Sequence, residues 1–590
     1  MAHGIRRVRP LLGQIGGPAL VALLAVATGR YLAAQSPAFE PVTDATLLNP
    51  SPNDWLNYRR TLDGWGYSPL DQINTQNVNQ LQLVWSWALA PGISQATPLV
   101  YKGVMYIPDG GGTGILALNA VTGDLLWDFH KEFEAASKEL SLLDPSRRRT
   151  RNIAIFGDRI YWATYDAHLI ALNAQTGAVI WDRTMADFRQ GFRVSSGPIV
   201  VRGKIVSGMA GCDRFKKDPC FISAYDAQTG QLAWKTSTIA RPGEPGGDTW
   251  GDVPLIQRAG GDAWIPGSYD PRLNLIYWAT SQAKPFTRFQ RGTDGAALYT
   301  NSVLALDPDS GRIVWHRQLL PGETHDQDEV FENILVDHRG RASLFKMGKL
   351  GILWEIDRES GKFMASHDAG YQSLVDVDKA GTVTYRPDAL PKPGVKLSFC
   401  PSQGGFKNWH AMAYHPTTQA FYIPMFIHCS ELTYFDGGID RTEGGGGMGR
   451  NTGGRMRPHP KSPDSLGELW AVDVTGEQLW RHKTRTPMTS AALTTGGGLV
   501  VAGDWDRNLY ILDAATGRSL FHMRMPNGVQ GFPITYAVNG RQYLAVPVAT
   551  LDAGGRASVP LLLTPDRKRP PTNTNGVFVF ALPPSALPTR

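Results

Sequence analysis

Long apolar runs are scarce in this chain of 590 residues. The cleanest, residues 19–27, follows Gln14, Gly16, Gly17 and Pro18 and falls well short of the ~20 residues a membrane span needs. Acidic residues are absent from positions 1–34, where Arg6, Arg7 and Arg9 precede that run and Ala33 and Ala34 follow it. This is the layout of an export signal, so residues 1–34 read as a signal peptide cleaved after Ala34, leaving a protein with no integral membrane segment. The Arg6-Arg7 pair fits twin-arginine export as well as the general route. Cysteine is also rare: only Cys212, Cys220, Cys400 and Cys429 occur, and no C-x-x-C-H is present. The sequence therefore carries no covalent c-type haem site. In an exported chain, two local disulfides, Cys212–Cys220 and Cys400–Cys429, are the simplest of the three possible pairings. A long basic run is missing too. The net charge of +6 includes Arg6, Arg7, Arg9 and Arg30 of the leader, leaving +2, which gives no footing for nucleic acid.

What the chain has in quantity is Gly (64), Pro (41) and Trp (17), the turn formers and large packing residues of an all-β protein. A unit A-L-[ND]-x-x-[TS]-G-x-x-x-W recurs, ending at Trp127, Trp181, Trp234 and Trp315, with weaker copies ending at Ala365, Trp480 and Phe521. LQLVWSW around Trp85 lacks the turn signal and makes an eighth unit. Each copy reads as a β-hairpin: an apolar strand, a tight Asn/Asp-x-x-Thr/Ser-Gly turn, and a second strand whose aromatic packs inward. Further short strands such as GVMYIPD and LNLIYWAT bring each period to about four strands, one blade of a propeller. The expected fold is an all-β, eight-bladed β-propeller with Trp-ended blade repeats over residues 35–590. An open array of sandwiches is the alternative, disfavoured because closure removes exposed sheet edges. Uneven spacing places insertions at 239–264 and around 366–466. The second contains the Gly- and Arg-rich RTEGGGGMGRNTGGRMRPHPKSP, expected as a mobile surface excursion.

One segment does not repeat: Thr324-His325-Asp326-Gln327-Asp328-Glu329, directly after the Trp315 unit. Together with the Trp-ended repeats, YDPRLNLIYWATSQAKPF and GGFKNWHAMAYHP, it makes nearly the whole chain resemble the exported quinoprotein alcohol dehydrogenases, propellers that hold pyrroloquinoline quinone (PQQ) and a divalent cation. The resemblance implies a base that removes the alcohol proton. THDQDE is one residue shorter than the family's P-H-D-x-W-D segment, so the base falls on Asp328 if the gap follows Gln327 and on Asp326 without a gap; Asp328 is preferred. It implies Asp213, Gln282 and Asp328 as cation ligands, each of the first two differing by one methylene from the family's glutamate and asparagine. It implies Arg151 on a cofactor carboxylate, Trp264 as the floor under the planar quinone, and Lys349 beside the quinone oxygens. It implies a further cofactor contact from Asn408 and Trp409, and Gln95 occupies the place of a family glutamate near the cofactor. Ser195, Ser196 and Thr97 are weaker candidates. Val330 stands where lanthanide-using relatives carry an extra aspartate, which favours Ca²⁺.

The family's adjacent-cysteine disulfide over the quinone has no counterpart near Arg151, so a more open roof and a bulky or secondary alcohol are expected. The resemblance implies that electrons leave to an external acceptor such as a cytochrome c, and with the export signal the expected location is the periplasm. The competing reading is a non-catalytic propeller scaffold of the outer-membrane assembly type, which shares the repeats.

Overall fold

The structure is a computed structural model that describes residues 39–452, 455–550, 562–567 and 573–586. The expected signal peptide lies outside the described residues. From Glu40 onward the chain forms one compact unit.

Eight blade sheets are present among the described residues, each with four antiparallel strands, and the one at 493–524 gains a fifth, short parallel strand, Tyr67–Ser68. Seven are sequential: blade 1 spans 99–130, blade 2 154–184, blade 3 199–237, blade 4 268–318, blade 5 334–368, blade 6 413–484 and blade 7 493–524. Blade 8 takes Ile534–Val538, Arg541–Val548 and Gly576–Ala581 from the C-terminal region and its outermost strand, Gln82–Ala88, from the beginning of the chain. The eighth unit around Trp85 is that outermost strand. Its pairing with Gly576–Ala581 closes the ring, and the open-array alternative is thereby excluded.

Each repeat is the third and fourth strand of a blade, with a register slip just ahead of its aromatic: Ala117 faces Trp127, Leu118 faces Leu125, and Leu126 is passed over. The same slip occurs at Trp181, Trp234, Trp315 and Trp480. Such a bulge re-aims the side chain that follows it. The tryptophan then turns toward the next blade rather than only into its own. Trp127 lies against Gly177 of the following repeat's turn, and Trp85, Trp181, Trp234, Trp315 and Trp480 lie in the same way against Gly123, Gly230, Gly311, Gly361 and Gly517. The Trp127 indole N–H donates to the Ala174 carbonyl at 3.0 Å, and the Trp480 N–H donates to Ala514 at 3.0 Å. This blade-to-blade lock explains why Gly and Trp travel together in the repeat.

A side chain at Gly177 would meet the Trp127 ring at 2.6 Å on a backbone with φ of +71°. Gly177→Ala is expected to cost about 2–4 kcal/mol in a denaturant titration, from strain plus overpacking. Gly157, with φ of +60° and nothing near its missing Cβ, is the control; equal losses at both positions would remove the lock from the account.

The insertions are more structured than expected. Residues between blades 5 and 6 form a hairpin, Val375–Val377 with Val383–Tyr385, and a further strand there, Lys396–Phe399, joins His428–Thr433 and Arg455–Pro458 of the excursion inside blade 6 in a three-stranded sheet. The Gly-rich stretch does not extend away from the ring. Phe215 N–H donates to the Gly445 carbonyl, Gly447 N–H to Asp213, and Phe286 N–H to Met448, so it lies across blades 3 and 4. Both expected disulfides are present.

Candidate active site

Antiparallel order decides where chemistry can sit. In blades 1 to 7 the segment entering the first strand and the turn between the second and third strands lie at one end of the sheet, while the repeat's Gly-containing turn lies at the other. The entry segments of several blades meet near the axis, where Tyr58, Ile265, Val330, Phe331, Trp409, Ala411, Ala491 and Phe532 make an apolar cluster. A cavity of about 550 Å³ opens at the same end. Its wall comes from the entry segments (Gln95, Arg151, Ser195, Asp262, Trp264, Asp326, Asp328, Asn408, Trp409) and from the second-to-third strand turns (Asp213, Ser281, Lys284, Lys349).

The acidic segment is buried throughout, and its residues divide by direction. Asp326 and Asp328 line the cavity. His325 turns away into Phe399 at a ring separation of 4.8 Å, where burial drives its pKa down to about 3 and keeps it neutral. Glu329 also turns away, and burial raises its pKa to about 8. The segment is pinned from several blades: Asn301 accepts from Glu329 N–H at 3.0 Å and donates to the Gln327 carbonyl at 2.9 Å, and Lys349 N–H donates to the Asp328 carbonyl at 3.0 Å. Glu323 accepts from the His325 and Asp326 N–H groups, and burial first of all lifts its pKa to about 7.

Lys349 joins the two aspartates. Its ammonium lies 2.8 Å from Asp328 Oδ2 and 3.1 Å from Asp326 Oδ1, on a side chain that is itself buried. Asp328 Oδ1 accepts the Gln282 backbone N–H at 3.2 Å, while the Gln282 side-chain amide donates to Asp326. Lys284 stands 3.8 Å from Asp326. Elsewhere in the lining Arg151 donates to the carbonyls of Ser195 and Trp264 at 3.0 and 3.1 Å and places its guanidinium 4.7 Å from the Trp264 ring centre. Phe331 meets that ring edge-on at 5.2 Å, which fixes the plane of the indole. Asn408 donates to the Gly404 carbonyl at 2.8 Å and accepts from Trp409 N–H at 2.9 Å, so its orientation is set locally. Burial works to raise the Asp213 pKa, but Arg193 and Lys284 outweigh it and hold the carboxyl below its usual range.

Not every expected residue reaches the cavity. Ser196 is fully buried and donates to the Gly208 carbonyl at 3.1 Å; its neighbour Ser195 lines the wall instead. Along an extended segment successive side chains face opposite ways, so a shift of one residue exchanges the two. Gln282 lies behind the aspartates rather than on the wall. Sequence reasoning missed Asp262, Ser281, Lys284 and Arg193. Asp262 precedes Trp264 by two residues, a spacing that places both on one face of an extended chain and was a usable signal.

Comparison with known proteins agrees with this geometry. The family described as PQQ, glucose/ethanol/alcohol dehydrogenase β-propeller domain, matches residues 55–366 and 464–544. The chain belongs to the PQQ-dependent alcohol dehydrogenase family. It is 31% identical over 579 residues to the quinohemoprotein alcohol dehydrogenase ADH IIB of Pseudomonas putida, covering 91% of this chain and 80% of that one. It is likewise 31% identical over 527 residues to the quinoprotein alcohol dehydrogenase PedH of the same species, covering 82% and 84%. Among solved structures, a europium-containing methanol dehydrogenase superposes with a TM-score of 0.83 at 25% identity, covering 91% of this chain and 99% of the other. The scaffold alternative is the less supported reading.

As a member of the family the chain is an oxidoreductase that uses PQQ and a metal ion, and the cavity's donor set suits both. Arg151, Lys284 and Lys349 are buried cations for a planar polyanion, and Trp264 offers it a flat face. For a cation, Gln282 Oε1 and Gln95 Oε1 are buried acceptors without a hydrogen-bond partner among the described residues. Gln282 lies beside the Asp326 and Asp328 carboxylates, which gives an oxygen-rich corner.

Proposed function

We propose that the chain is an exported, periplasmic dehydrogenase that oxidises a bulky or secondary alcohol to the aldehyde or ketone, with Asp328 as base and Ca²⁺ as the cation. The observation that carries the assignment of the base is the 2.8 Å pair between Asp328 and Lys349 on the cavity wall. Lys349 holds the carboxylate in one orientation while leaving it open to the cavity, so it can accept the hydroxyl proton of a bound alcohol at an oxygen already positioned. Both aspartates share Lys349 and a Gln282 hydrogen bond, but Asp326 is also drawn to Lys284 at 3.8 Å, which leaves it less free to serve. Arg151 would bind a carboxylate of PQQ, and Trp264 with Asn408 would orient its rings. Bound PQQ supplies the acceptor for the two electrons that the alcohol loses together with two protons. Those electrons pass to an external acceptor, a soluble cytochrome c being the expected one.

Asp213, Gln282 and Asp328 would supply oxygen ligands to the cation. The preference for Ca²⁺ is supported by Val330, which is buried in the apolar axial cluster and adds no carboxylate. Space for a bulky alcohol comes from the segment before Arg151. There a short helix, Ala135–Leu143, and a turn, Pro145–Arg148, stand in place of a disulfide lid.

The test is reconstitution of purified protein with PQQ and either Ca²⁺ or a lanthanide, following dye reduction with small and bulky alcohols. Ca²⁺ is expected to give at least tenfold higher kcat/KM than the lanthanide, and Val330→Asp to narrow that ratio. Higher activity with the lanthanide in the unaltered protein would overturn the cation assignment, and no bound quinone would overturn the function.

A further inference from the structure

The outer end of the cavity carries a second group of cations, separate from the buried Arg151, Lys284 and Lys349. Arg147 and Arg193 are half-buried and Arg214 is exposed, and all three line the opening. They come from three different loops. Arg147 follows the helix Ala135–Leu143, Arg193 lies in the entry to blade 3, and Arg214 lies in the Cys212–Cys220 loop.

Their existing bonds are weak or peripheral. Arg147 reaches the Gly191 carbonyl at 3.4 Å, and Arg214 the Gly444 carbonyl at 3.1 Å. Among the described residues none of the three makes an ion pair within 4.0 Å. Asp144, the acid nearest Arg147 in sequence, already accepts from the Ser146 N–H and hydroxyl at 3.0 and 2.5 Å. Burial, and then Arg193, depress the Arg147 pKa, the direction expected for guanidinium groups that crowd one another. Asp213 is the carboxylate that faces Arg193 and Arg147 here, so three guanidinium groups outnumber it at the opening, and an anion placed among them offsets that excess.

The same rim has an apolar side. Leu140 and Leu143 of the helix and Met448 of the Gly-rich stretch line it. The lining as a whole carries seven basic side chains (Arg147, Arg149, Arg151, Arg193, Arg214, Lys284, Lys349) against five acids (Asp144, Asp213, Asp262, Asp326, Asp328), so it remains positive. The buried cations face the aspartates and Trp264, where the cofactor is assigned. The outer arginines are therefore left to meet whatever lies between that cofactor and solvent.

Resting on the reading of the cavity as a PQQ-dependent alcohol dehydrogenase site, we infer that the preferred substrate is an alcohol with an apolar body and an anionic group at the end remote from the hydroxyl. The hydroxyl enters toward Asp328, the body lies along Leu140, Leu143 and Met448, and the anion stays at Arg147, Arg193 and Arg214. A carboxylate and a phosphate share the chemistry required.

The test compares isosteric pairs on protein loaded with PQQ and Ca²⁺: 4-(hydroxymethyl)benzoate against 4-(hydroxymethyl)benzamide, and 4-(hydroxymethyl)phenyl phosphate against its neutral dimethyl ester. At low ionic strength kcat/KM is expected to favour at least one anion by tenfold or more. The preference should shrink toward unity at high salt and in Arg193→Gln/Arg214→Gln. Calorimetric binding of 4-methylbenzoate and phenyl phosphate, against 4-methylbenzamide, reads the same contact without turnover and should follow the same pattern. Oxidation of both members of each pair with equal kcat/KM at all salt concentrations overturns this inference and leaves the dehydrogenase intact. Failure to oxidise any alcohol overturns the dehydrogenase reading itself. If the double variant melts earlier, the salt dependence of the unaltered protein still decides.

Discussion

Asp328→Asn is expected to lower kcat by roughly 10²–10⁴-fold, the usual worth of a positioned general base, while the purified protein keeps its bound quinone. Asparagine preserves the shape of the side chain and can still accept the Gln282 backbone N–H, which Asp328 receives at 3.2 Å. What it loses is the negative charge, and with it both the capacity to take a proton and the 2.8 Å ion pair with Lys349. The informative companion is Asp326→Asn. Asp326 is tied to Lys349, Lys284 and Gln282, so its neutralisation disturbs a buried charge network and should appear first as lost stability, with kcat falling by less than about tenfold. Steady-state kinetics with a quinone absorption spectrum for each variant separate the two. If Asp326→Asn proves the more damaging to kcat while Asp328→Asn turns over normally, the base is Asp326 and the segment aligns without a gap.

A truncation that removes residues 576–590 should abolish the folded protein. Gly576–Ala581 pairs on one side with Arg541–Val548 and on the other with Gln82–Ala88. Its Val577, Val579, Phe580 and Ala581 are buried, as is Leu582. Burial of the larger apolar side chains is worth about 1.5–3 kcal/mol each, so the strand carries on the order of the ~5–15 kcal/mol by which whole domains are stable. The loss also frees two sheet edges in a ring that otherwise hides them. The expected result is a chain that is insoluble or melts without cooperativity by circular dichroism. A truncated protein with an unchanged melting curve would mean that blade 8 closes by other contacts.

Local pattern made the ring readable. The Trp-ended unit repeats because each tryptophan must find the glycine of the next turn, and that requirement writes itself into both places at once. Even Trp85, without a turn of its own, announced the strand that completes blade 8. The cavity was readable where a residue stands in a distinctive local context: Gln95, Arg151, Asp213, Trp264, Asp328, Lys349, Asn408 and Trp409 all line it. It was unreadable where position depends on distant partners. Ser195 and Ser196 differ only in which way an extended segment faces. Lys284 gains its place from Asp326 across the blade 4–5 connection. The Gly-rich stretch looked loose because its anchors, Asp213, Phe215 and Phe286, are far away in sequence. Asp326 and Asp328 remained open to exchange because the sequence gap could not show that both would share one lysine.

The closing strand also has a consequence in time. Gln82–Ala88 is among the first strands to be synthesised, and its partner Gly576–Ala581 is among the last. The cavity draws on segments from blades on both sides of the ring, so its walls reach their final separation only when that late partner arrives. Pairing across so great a sequence distance is slow relative to local hairpins. A chain interrupted near its end therefore carries nearly every cavity residue without the strand that closes the ring around them.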